Sequence, residues 1–505
     1  MSSHKHIDRI CLVITLLTLG LTLLFINGRA LGLRPMTGSE LQDGSSLFST
    51  VDLYDSDTYR DATEIVLQGQ DAQIVGGGAY FHEGRVVISS GGAYRLSGTL
   101  ESGPVLVDTD RSSTVFLLFD GVTLRCPDDA ALWVEQAGKV VLSLAEGSEN
   151  RIEGSASRSD EAAQARRDGA IFCRDDLSIN GPGSLSITAG YRHGIDAHDD
   201  LILTGGTIRI SAPGDALHVN DSLRLREAEL ELEAADKGLS QQQPGGQIVL
   251  ESGSLTVKSA DDAIHGAGEF VMKGGRAVLT SGDDAVRAET AFQLSGGSLL
   301  ISDCREGVES AVLRVSGGEL QLRCRVNGLS AALPRDREDL VGQRPLIELS
   351  GGSVVVICPD TTHADGLDSK GDIFITGGAL LVGMSDSKGT RALNWARDQG
   401  GVCRINGGSV VCLDSGAMTG RPDRSSGQCS LLCGLGAARA AGTTVVLEDA
   451  DGRELLRAEA PCSFSCALLS SPRLEKGGHY RLLLDGLVRE IALEDTVTVQ
   501  GVFPE

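Results

Sequence analysis

Residues 364–378 read ADGLDSKGDIFITGG, in which Asp365, Asp368 and Asp372 precede a short apolar run that ends at a Gly pair. Asp and Gly are frequent in turns, because the Asp side chain hydrogen-bonds to nearby backbone and Gly accepts positive φ. A single acidic turn of this kind would carry no further meaning. The arrangement recurs along much of the chain, however, and its spacing predicts the fold.

The recurring unit is a triplet of any residue, then Gly or Ala, then an aliphatic residue. Its first position advances by 24, 22, 22, 25, 22, 22, 21, 38 and 26 residues. The step of 38 contains the polar segment from Pro334 to Gln343, which we interpret as an inserted loop. The triplets begin at Gly169, His193, Asp215, Lys237, Asp262, Asp284, Glu306, Asn327, Asp365 and Arg391.

Each unit also contains an alternating apolar run after a Gly pair, as in GGSLLI at Gly296 and GGSVVV at Gly351. The unit holds no amphipathic helix, which excludes leucine-rich and ankyrin repeats. A period near 22 also argues against the calcium-binding nonapeptide β-roll. The remaining architecture is a parallel β-solenoid, in which each strand pairs with its equivalent one coil later at about 4.8 Å. We therefore predict an all-β fold with roughly ten coils over residues 166–415.

Stacking of the coils would place the acidic first positions in a ladder along one edge of the solenoid. Two ionised carboxylates about 5 Å apart repel by about 3 kcal/mol at an effective dielectric near 20, so a ladder needs cations. Lys237 supplies one cation. The acidic steps that follow it, which are Asp261, Asp262, Asp283, Asp284 and Glu306, have only Arg305 as a neighbouring cation in the sequence. Six to eight oxygen ligands are what Ca²⁺ takes, so calcium is the predicted cofactor, with metal-free turn capping or a salt-bridged ladder as alternatives. The predicted metal ligands are Asp261, Asp262, Asp283, Asp284, Glu306, Asp365, Asp368 and Asp372.

The last three of these ligands lie in residues 364–378, which we call the opening stretch. Asp365, Asp368 and Asp372 would converge if the chain turned at Gly366 and Gly371. Turn chemistry without a metal explains the same residues equally well.

Composition limits the class of partner. The formal net charge is −24, which argues against nucleic acid because phosphate binding needs Lys and Arg patches. Gly makes up 65 of 505 residues, which indicates many tight turns. We expect a monomer that binds cations or neutral polymers.

Most of the twelve Cys lie in apolar strand-like runs and are expected to be buried thiols. Cys429 and Cys433 share the spacing of Cys462 and Cys466. On two antiparallel strands, 429 would face 466 and 433 would face 462, so disulfides there are an alternative to thiols.

The N-terminus has the order of an export signal. Lys5 and Arg9 precede an uncharged apolar run at residues 10–26. The run is at the short end of what spans a bilayer, so we expect either a transmembrane anchor helix or a cleaved signal, with the protein at the cell surface or secreted. The membrane would be contacted through this segment only. The predicted organisation is a tail and apolar segment at 1–35, a linker at 36–62, an N-terminal β region at 63–165, the β-helix at 166–415 and a small β domain at 416–505.

Ordered motifs from about Thr63 to the end of the chain carry a resemblance to a known family. They include YRLSGTL at Tyr94, VVLSLAEGSEN at Val140, CRDDLSINGPGSLSI at Cys173 and GIDAHDDLILTGGTI at Gly194, together with DGLDSKGDIFITGG. The chain resembles the carbohydrate-binding β-helix family of exported, clostridial-type surface proteins, known for binding cellulose and pectic polysaccharide. The resemblance implies a right-handed parallel β-helix of the pectate-lyase type, bound calcium and polysaccharide binding without an assigned catalytic role.

Two motifs depart from the family pattern. The chain has Val326-Asn327-Gly328-Leu329-Ser330 where the family has Asp-Asp-Gly-Ile-Asn, and it has Ala392-Leu393-Asn394-Trp395 where the family has Ala-Leu-Asp-Tyr. Two anionic ligands are therefore absent, which puts at least one family metal site in doubt.

Sugar binding usually uses flat aromatic faces, and aromatic residues are scarce here. Tyr191 and Trp395 are the predicted carbohydrate platforms, with Trp133 as a further candidate, although each is also a common core residue. The resulting function is calcium-dependent binding of plant cell-wall type polysaccharide outside the cell, without catalysis. One alternative is a calcium-dependent lyase on uronate polymers, with Lys370, Lys237 or Arg305 as base, and another is a structural stalk or adhesin.

Overall fold

The computed structural model describes residues 47–101, 103–359, 363–387, 389–416 and 420–503. The predicted signal or anchor segment lies outside these residues. Within the described part of the chain, no helix is long and apolar enough to cross a membrane. Thr50–Glu505 form one compact unit, and the domain boundaries predicted within it stay predictions.

The N-terminal region already contains parallel pairing. β1 pairs with β5, β5 with β7 and β7 with β9, all parallel, whereas β1–β2 and β3–β4 are antiparallel hairpins. A short helix, Asp160–Gln164, is capped by the Ser159 side chain. The strands are β1 (Thr63–Gly69), β2 (Ala72–Val75), β3 (Ala79–His82), β4 (Arg85–Ile88), β5 (Gly92–Leu100), β6 (Val105–Asp108), β7 (Thr114–Cys126), β8 (Leu132–Gln136), β9 (Lys139–Leu144) and β10 (Glu149–Gly154).

The repeat region is a parallel β-solenoid, which confirms the predicted coil. Each triplet stacks on the next in the predicted register, as when Ile171 pairs with Ile195 and Ile195 with Leu217. The strands are β11 (Gly169–Cys173), β12 (Leu177–Asn180), β13 (Ser184–Thr188), β14 (His193–Ala197), β15 (Leu201–Thr204), β16 (Thr207–Ala212), β17 (Leu217–Val219), β18 (Leu223–Leu225), β19 (Glu229–Ala234), β20 (Leu239–Gln241), β21 (Gln247–Leu250), β22 (Ser254–Ser259), β23 (Ile264–Gly266), β24 (Glu269–Met272), β25 (Arg276–Thr280), β26 (Val286–Leu294), β27 (Ser298–Asp303), β28 (Val308–Val315), β29 (Glu319–Arg323), β30 (Leu329–Ala331), β31 (Leu346–Leu349), β32 (Ser353–Cys358), β33 (His363–Ser369), β34 (Asp372–Met384), β35 (Gly389–Trp395) and β36 (Cys403–Asp414).

The strands of each coil belong to three stacks, which we call sheets A, B and C. Sheet A contains β4, β6, β8, β11, β14, β17, β20, β23, the first halves of β26 and β28, β30, β33 and β35. Sheet B contains β9, β12, β15, β18, β21, β24, the second halves of β26 and β28, β31 and the first halves of β34 and β36. Sheet C contains β10, β13, β16, β19, β22, β25, β27, β29, β32 and the second halves of β34 and β36.

The core is the column of aliphatic side chains that the three sheets enclose. Ile195, Leu217 and Ile264 are fully buried, and burial of one such side chain contributes about 1.5 to 3 kcal/mol. The Gly pairs form the corners before sheet C. At Gly297, φ is +80° and an added Cβ would lie 2.6 Å from the backbone of Gly275, so the coil below leaves space only for Gly.

A segment near the N-terminus crosses the outside of sheet B. Two 3₁₀ turns, Thr50–Asp52 and Ser56–Tyr59, carry its contacts. The buried Asp52 carboxylate accepts a hydrogen bond from Ser178 at 2.6 Å and lies 2.5 Å from Lys139 Nζ. The Tyr59 hydroxyl donates to Ser143 at 2.7 Å. This part of sheet B is therefore covered by the chain itself.

The insertion predicted around Pro334 to Gln343 is confirmed as the connection between β30 and β31. It contains a 3₁₀ turn, Glu338–Leu340, and Arg337 holds it against sheet A. The Arg337 guanidinium contacts Glu289 at 2.8 Å and the carbonyl of Ala267 at 2.5 Å.

The C-terminal residues cover the last coil. β40 pairs antiparallel with the second half of β36, and β37 pairs with β40 and β43. β38 and β39 form an antiparallel hairpin around Asp451-Gly452, and they join β41 and β42 in a separate four-stranded sheet. The strands are β37 (Ser430–Arg439), β38 (Thr444–Asp449), β39 (Glu454–Glu459), β40 (Phe464–Ser470), β41 (His479–Leu484), β42 (Leu487–Ala492) and β43 (Val497–Val502).

The alternative of two disulfides between these strands is not supported by the register. Cys433 lies opposite Ala467, and Cys466 lies opposite Gly434. The predicted pairs 429–466 and 433–462 are therefore offset along the strands, because the antiparallel register is fixed by the pairing of β40 with both β36 and β37.

Candidate functional site

The first positions of the triplets form one continuous column, which we call the ladder. The backbone shows the stacking directly, since Ala263 N donates to Asp284 O at 3.0 Å and Ala285 N donates to Glu306 O at 2.9 Å. The ladder consists of Gly169, His193, Asp215, Lys237, Asp262, Asp284, Glu306, Asn327, Asp365 and Arg391.

A second column lies three residues after the ladder on the strands of sheet A, and we call it the outer column. It changes in character along the solenoid, from apolar and aromatic residues at one end to charged and polar residues at the other. The outer column consists of Leu106, Trp133, Phe172, Asp196, His218, Ser240, His265, Arg287, Glu309, Ser330, Asp368 and Asn394.

Ladder side chains cap the backbone of the next coil. Asp262 Oδ1 accepts from Asp284 N at 3.0 Å, and Asp215 Oδ1 accepts from Lys237 N at 3.2 Å. Asn327 Oδ1 does the same for Asp365 N at 3.0 Å. Turn capping, the alternative to a metal, therefore accounts for one oxygen at each of these residues.

The predicted acidic steps come together in space. Asp261, Asp262 and Asp283 each offer a carboxylate oxygen, and the three oxygens lie within 4.8 Å of one another. Lys237 Nζ lies 2.7 Å from Asp261, and the His265 ring lies beside Asp262, with Nδ1 2.7 Å from the carboxylate. The acidic steps are thus partly neutralised by the protein.

Arg305 serves the next two steps. Its guanidinium contacts Asp283 and Glu306, and Nη2 lies 3.6 Å from Asp284 Oδ1. Asp284 is 1% exposed, and its Oδ1 has no hydrogen-bond partner among the described residues. Burial, together with the charges of Asp262 and Glu306, raises the pKa of Asp284 to about 8. Among the ladder carboxylates that the structure describes, Asp284 is the one with a buried oxygen that lacks a hydrogen bond, and a bound cation would supply a partner for it.

The donor set here fits a hard cation. The carboxylates supply oxygen atoms only, which are the ligands that Ca²⁺ prefers. Asp261, Asp262, Asp283 and Asp284 are the residues that would hold it. Burial also raises the pKa of Glu306, the next ladder residue, so another carboxylate at this end lies in a strongly acidic environment.

The opening stretch is built differently. Asp365 receives two hydrogen bonds from the Arg391 guanidinium, at 2.7 and 2.8 Å. The Asn394 amide donates to Asp365 at 2.9 Å and to Asp368 at 2.8 Å, and Lys370 Nζ lies 2.6 Å from Asp368. The carboxylates are satisfied by protein donors, so this pair does not fit a metal.

Asp372 does not join this pair. It begins β34 in sheet B, where it contacts Arg344 at 2.8 Å and accepts from Val402 N at 2.8 Å. The expected turn at Gly366 is wrong, because Gly366 lies inside β33. Gly is required there for packing, since an added Cβ would lie 2.4 Å from Val382 Cγ1.

The structure brings together a cluster that sequence reasoning missed. His193, Asp215 and His218 each offer one ligand atom, and these atoms lie within 4.8 Å of one another. His193 belongs to the ladder and His218 to the outer column, so coil stacking was needed to join them. The available signal was the repeated string DALH at residues 215–218 and DAIH at residues 262–265.

Burial lowers the pKa of His193, and the charge of His218 acts in the same direction. At Asp215, burial favours the neutral carboxyl. The hydrogen bond with His218 and the nearby imidazoles outweigh burial and hold the pKa of Asp215 below its ordinary value.

The predicted aromatic platforms are covered by arginines. Trp395 is 7% exposed, and the Arg397 guanidinium lies 4.4 Å from its ring centroid. Arg158 lies 4.9 Å from the ring centroid of the half-buried Tyr191. Either ring would need to be uncovered before a sugar could stack on it.

Trp133 lines an open groove on the outer face of sheet A. The groove has a volume of about 490 Å³ and is also lined by Asp108, Glu135, Arg167 and Arg174. Arg167 covers the Trp133 ring at 3.9 Å, and the Trp133 Nε1–H donates to Glu135 at 3.0 Å. The groove therefore combines aromatic edges with polar groups at the surface.

Two further grooves open to the surface and are lined in part by charged residues. One, of about 380 Å³, lies between the inserted loop and Arg287, Glu289 and Glu309 of sheet A. The other, of about 350 Å³, lies on sheet C and is lined by Arg209, Glu231 and Lys258, among others. Sheet A thus carries two grooves and both metal-competent clusters on one side of the solenoid.

Comparison with known proteins places the chain in a carbohydrate-binding family. A model of the family described as "carbohydrate-binding domain-containing protein" matches residues 82–389, more than half of the chain. The chain belongs to this carbohydrate-binding family. The match spans sheet A from its N-terminal groove to the opening stretch.

Among relatives of this carbohydrate-binding family member is a carbohydrate-binding domain-containing protein of Acetivibrio thermocellus, 34% identical over 131 residues. That alignment covers 26% of this chain and 46% of the relative, so the chain spans about half the length of that protein. A solved structure, a gadolinium derivative of the polysaccharide lyase-like protein from C. thermocellum, is 22% identical. The match covers 55% of this chain and 98% of that one, with a TM-score of 0.38.

Proposed function

We propose that this chain is an extracellular protein that binds plant cell-wall type polysaccharide, such as cellulose or pectate, along the outer face of sheet A. The observation that carries the proposal is the match to a carbohydrate-binding family over the residues that build this face. Export would follow from the charged and apolar N-terminal residues, either as a membrane anchor or as a cleaved signal.

The shape of the face suits a polymer. Ten coils from Phe172 to Asn394 at about 4.8 Å per step give a strip about 43 Å long. Its grooves are open and polar, and a long chain of sugars can make many weak contacts in them. A small molecule would instead be expected in a deep enclosed pocket.

Calcium would link an acidic protein to an acidic glycan. Six carboxylates, from Asp261, Asp262, Asp283, Asp284, Glu306 and Glu309, face three permanent cations, from Lys237, Arg287 and Arg305. A bound Ca²⁺ at the ladder would offset this excess of negative charge. It would also supply the missing partner of Asp284, and a free coordination position would accept a uronate carboxylate.

The proposed function does not include catalysis. A β-helix lyase needs a neutral base, and each of the three candidate bases is paired with a neighbouring carboxylate. Hydrogen bonds with Asp261 and Asp236 outweigh burial and raise the pKa of Lys237. A hydrogen bond with Asp283 raises the pKa of Arg305, and Lys370 is paired with Asp368.

Affinity electrophoresis in polygalacturonate and in a soluble cellulose derivative, with calcium and with chelator, tests the proposal. We expect retardation in at least one polymer, and retardation in polygalacturonate only with calcium. Unsaturated product absorbing in the ultraviolet would indicate the lyase. Retardation in neither polymer would favour a structural stalk.

A matched pair of variants tests which face binds. Arg174 on sheet A and Arg209 on sheet C each pair with a Glu of a neighbouring strand, at 3.0 and 2.8 Å. Arg174→Ala should weaken binding several-fold, while Arg209→Ala should leave it unchanged. The reverse result would move the binding face to sheet C.

A further inference from the structure

The cluster of His193, Asp215 and His218 lies on adjacent coils of sheet A. Asp215 is the ladder residue directly after His193. His218 lies three residues after Asp215, in the outer column of the same coil. The side chains of His193 and Asp215 are 7% and 6% exposed, whereas that of His218 is 25% exposed. The cluster is therefore buried on the ladder side and reaches solvent through His218.

Both imidazoles present Nδ1 to the same carboxylate oxygen. Asp215 Oδ2 lies 3.6 Å from His193 Nδ1 and 2.8 Å from His218 Nδ1. The two rings are stacked, with centroids 4.4 Å apart and planes at 23°. Ligands at about 2.0 to 2.2 Å from a tetrahedral ion lie about 3.3 to 3.5 Å apart, so small side-chain rotations suffice to close the set around one ion.

The tautomer of His193 is compatible with ligation. Asp215 N donates to His193 Nδ1 at 3.2 Å, so Nδ1 carries a lone pair and the proton is on Nε2. The contact is long for an N–H donor, which leaves that lone pair weakly engaged. His218 Nδ1 contacts Asp215 at 2.8 Å, and a metal ion would take the place of the proton between them.

We propose that His193, Asp215 and His218 bind a divalent transition-metal ion of the Zn²⁺ class. Two imidazole nitrogens and one carboxylate oxygen are the donors that such ions prefer, and they do not suit Ca²⁺. Three protein ligands leave a fourth position on the side of His218, where water completes the set. This site is separate from the acidic steps and does not depend on glycan binding.

The chain contains its own control for this proposal. Asp262 and His265 repeat the pair of Asp215 and His218, with Nδ1 and Oδ2 at 2.7 Å. The ladder residue before Asp262 is Lys237, which supplies a positive charge where His193 supplies a nitrogen ligand. The second pair therefore has the same local geometry without the third ligand.

Titration of the full-length chain with Co²⁺, in excess calcium and without glycan, tests the site. We expect one ion per chain with visible ligand-field absorption that added Zn²⁺ removes. His218→Gln should weaken binding at least about tenfold, a loss of about 1.4 kcal/mol, while His265→Gln should bind as the parent does. His4 and His6 are present in all three proteins, so the difference between the variants isolates the cluster.

Absence of the absorption from the parent chain would overturn the proposal. Equal binding by His218→Gln and the parent would also overturn it, as would equal loss in His265→Gln. Circular dichroism of each variant establishes that it is folded, and His218 is chosen because it is the more exposed of the two imidazoles. His193→Gln serves as the second ligand variant, with the same expected loss of absorption.

Discussion

Asp284 shows how a repeat forces a charged residue into an unfavourable place. Stacking of the coils buries the carboxylate of this ladder residue between those of Asp262 and Glu306. Capping by a backbone amide satisfies Asp262, but Asp284 Oδ1 keeps no hydrogen bond within the described residues. Contacts with the neighbouring coils therefore decide whether a ladder carboxylate has its hydrogen bonds satisfied.

The pH dependence of stability should report on Asp284. Its pKa is about 8 in the folded chain against an ordinary value of 3.8, so the folded state holds a proton that the unfolded state has lost. This contribution is complete below about pH 4 and is lost as pH rises towards 8. In chelator, the melting temperature of the parent should fall between pH 5 and 8, and Asp284→Asn should reduce this fall.

Calcium should oppose the same loss, because it binds the ionised carboxylate and only in the folded chain. At a hundredfold excess over its dissociation constant, a ligand adds about 2.7 kcal/mol to the free energy of unfolding. Asp120→Asn, at an exposed position of β7, is the control and should behave as the parent. Identical pH profiles for the parent and Asp284→Asn in chelator would contradict the assigned burial.

At the opening stretch, a carboxylate can be added instead of removed, by substitution of Asn394. Its amide donates to both Asp365 and Asp368, and Asn394→Asp would replace two donors by a third carboxylate. We expect the free energy of unfolding in chelator to fall by about 2 to 4 kcal/mol. Added calcium should recover part of the loss, so thermal unfolding should show a larger calcium response than in the parent chain.

Asn394→Ala separates the lost hydrogen bonds from the added charge. It should be destabilised, and its response to calcium should not exceed that of the parent chain, which comes from the ladder. A calcium response of Asn394→Asp no larger than that of the parent would contradict the prediction that a third carboxylate creates a binding site here.

At the scale of the elements, the three sheets have different surroundings. The outer face of sheet A carries the charged columns and is contacted by the inserted loop at Glu289, while part of sheet B is covered by residues 50–59. Sheet C carries a shallow groove on its outer face. Segments outside the repeat, including the inserted loop held by Arg337, decide which parts of the solenoid a polymer can reach.

The segment over sheet B should contribute strongly to stability through Asp52. Its side chain is 2% exposed and pairs with Lys139, itself 16% exposed. Asp52→Ala would leave the Lys139 cation without its carboxylate, and we expect a loss of about 3 to 5 kcal/mol in urea unfolding. Asp57→Ala removes an exposed pair with Arg60 on the same segment and should have little effect. Equal effects of the two substitutions would mean that the segment is not held at Asp52.

At the scale of the whole molecule, a parallel coil has two ends with unpaired backbone groups. At the C-terminal end, β40 pairs antiparallel with β36 and removes that edge. An exposed strand edge of this kind recruits other chains. The residues after the repeat therefore complete the fold as well as extend it.

Removal of residues 416–505 should convert the chain to oligomers, because it exposes β36. Size-exclusion chromatography with light scattering would measure the change. Lys substitutions at Val411 and Leu413 in the truncated chain should reduce the association, since charges on an edge strand oppose pairing. A truncated chain that stays monomeric without these substitutions would show that β36 needs no cover.

Much of the fold could be predicted from the sequence because a repeat encodes its own register. The triplets fixed which residues stack, from Ile171 to Leu393, and the Gly pairs marked the corners where the coil below excludes a side chain. The ladder and its acidic steps followed from the same spacing. Local periodicity suffices here, since every coil meets almost the same environment as its neighbour.

The rest depended on contacts between positions that the repeat does not relate. Arg391, Asn394 and Lys370 neutralise Asp365 and Asp368, and sheet assignment alone separates Asp372 from them. Arginines cover the predicted aromatic platforms. His193 and His218 are 25 residues apart, and only the stacked coils bring them to one carboxylate. Sequence spacing determined the backbone path, but the partner of each side chain was decided by burial and charge across coils, which only the tertiary structure specifies.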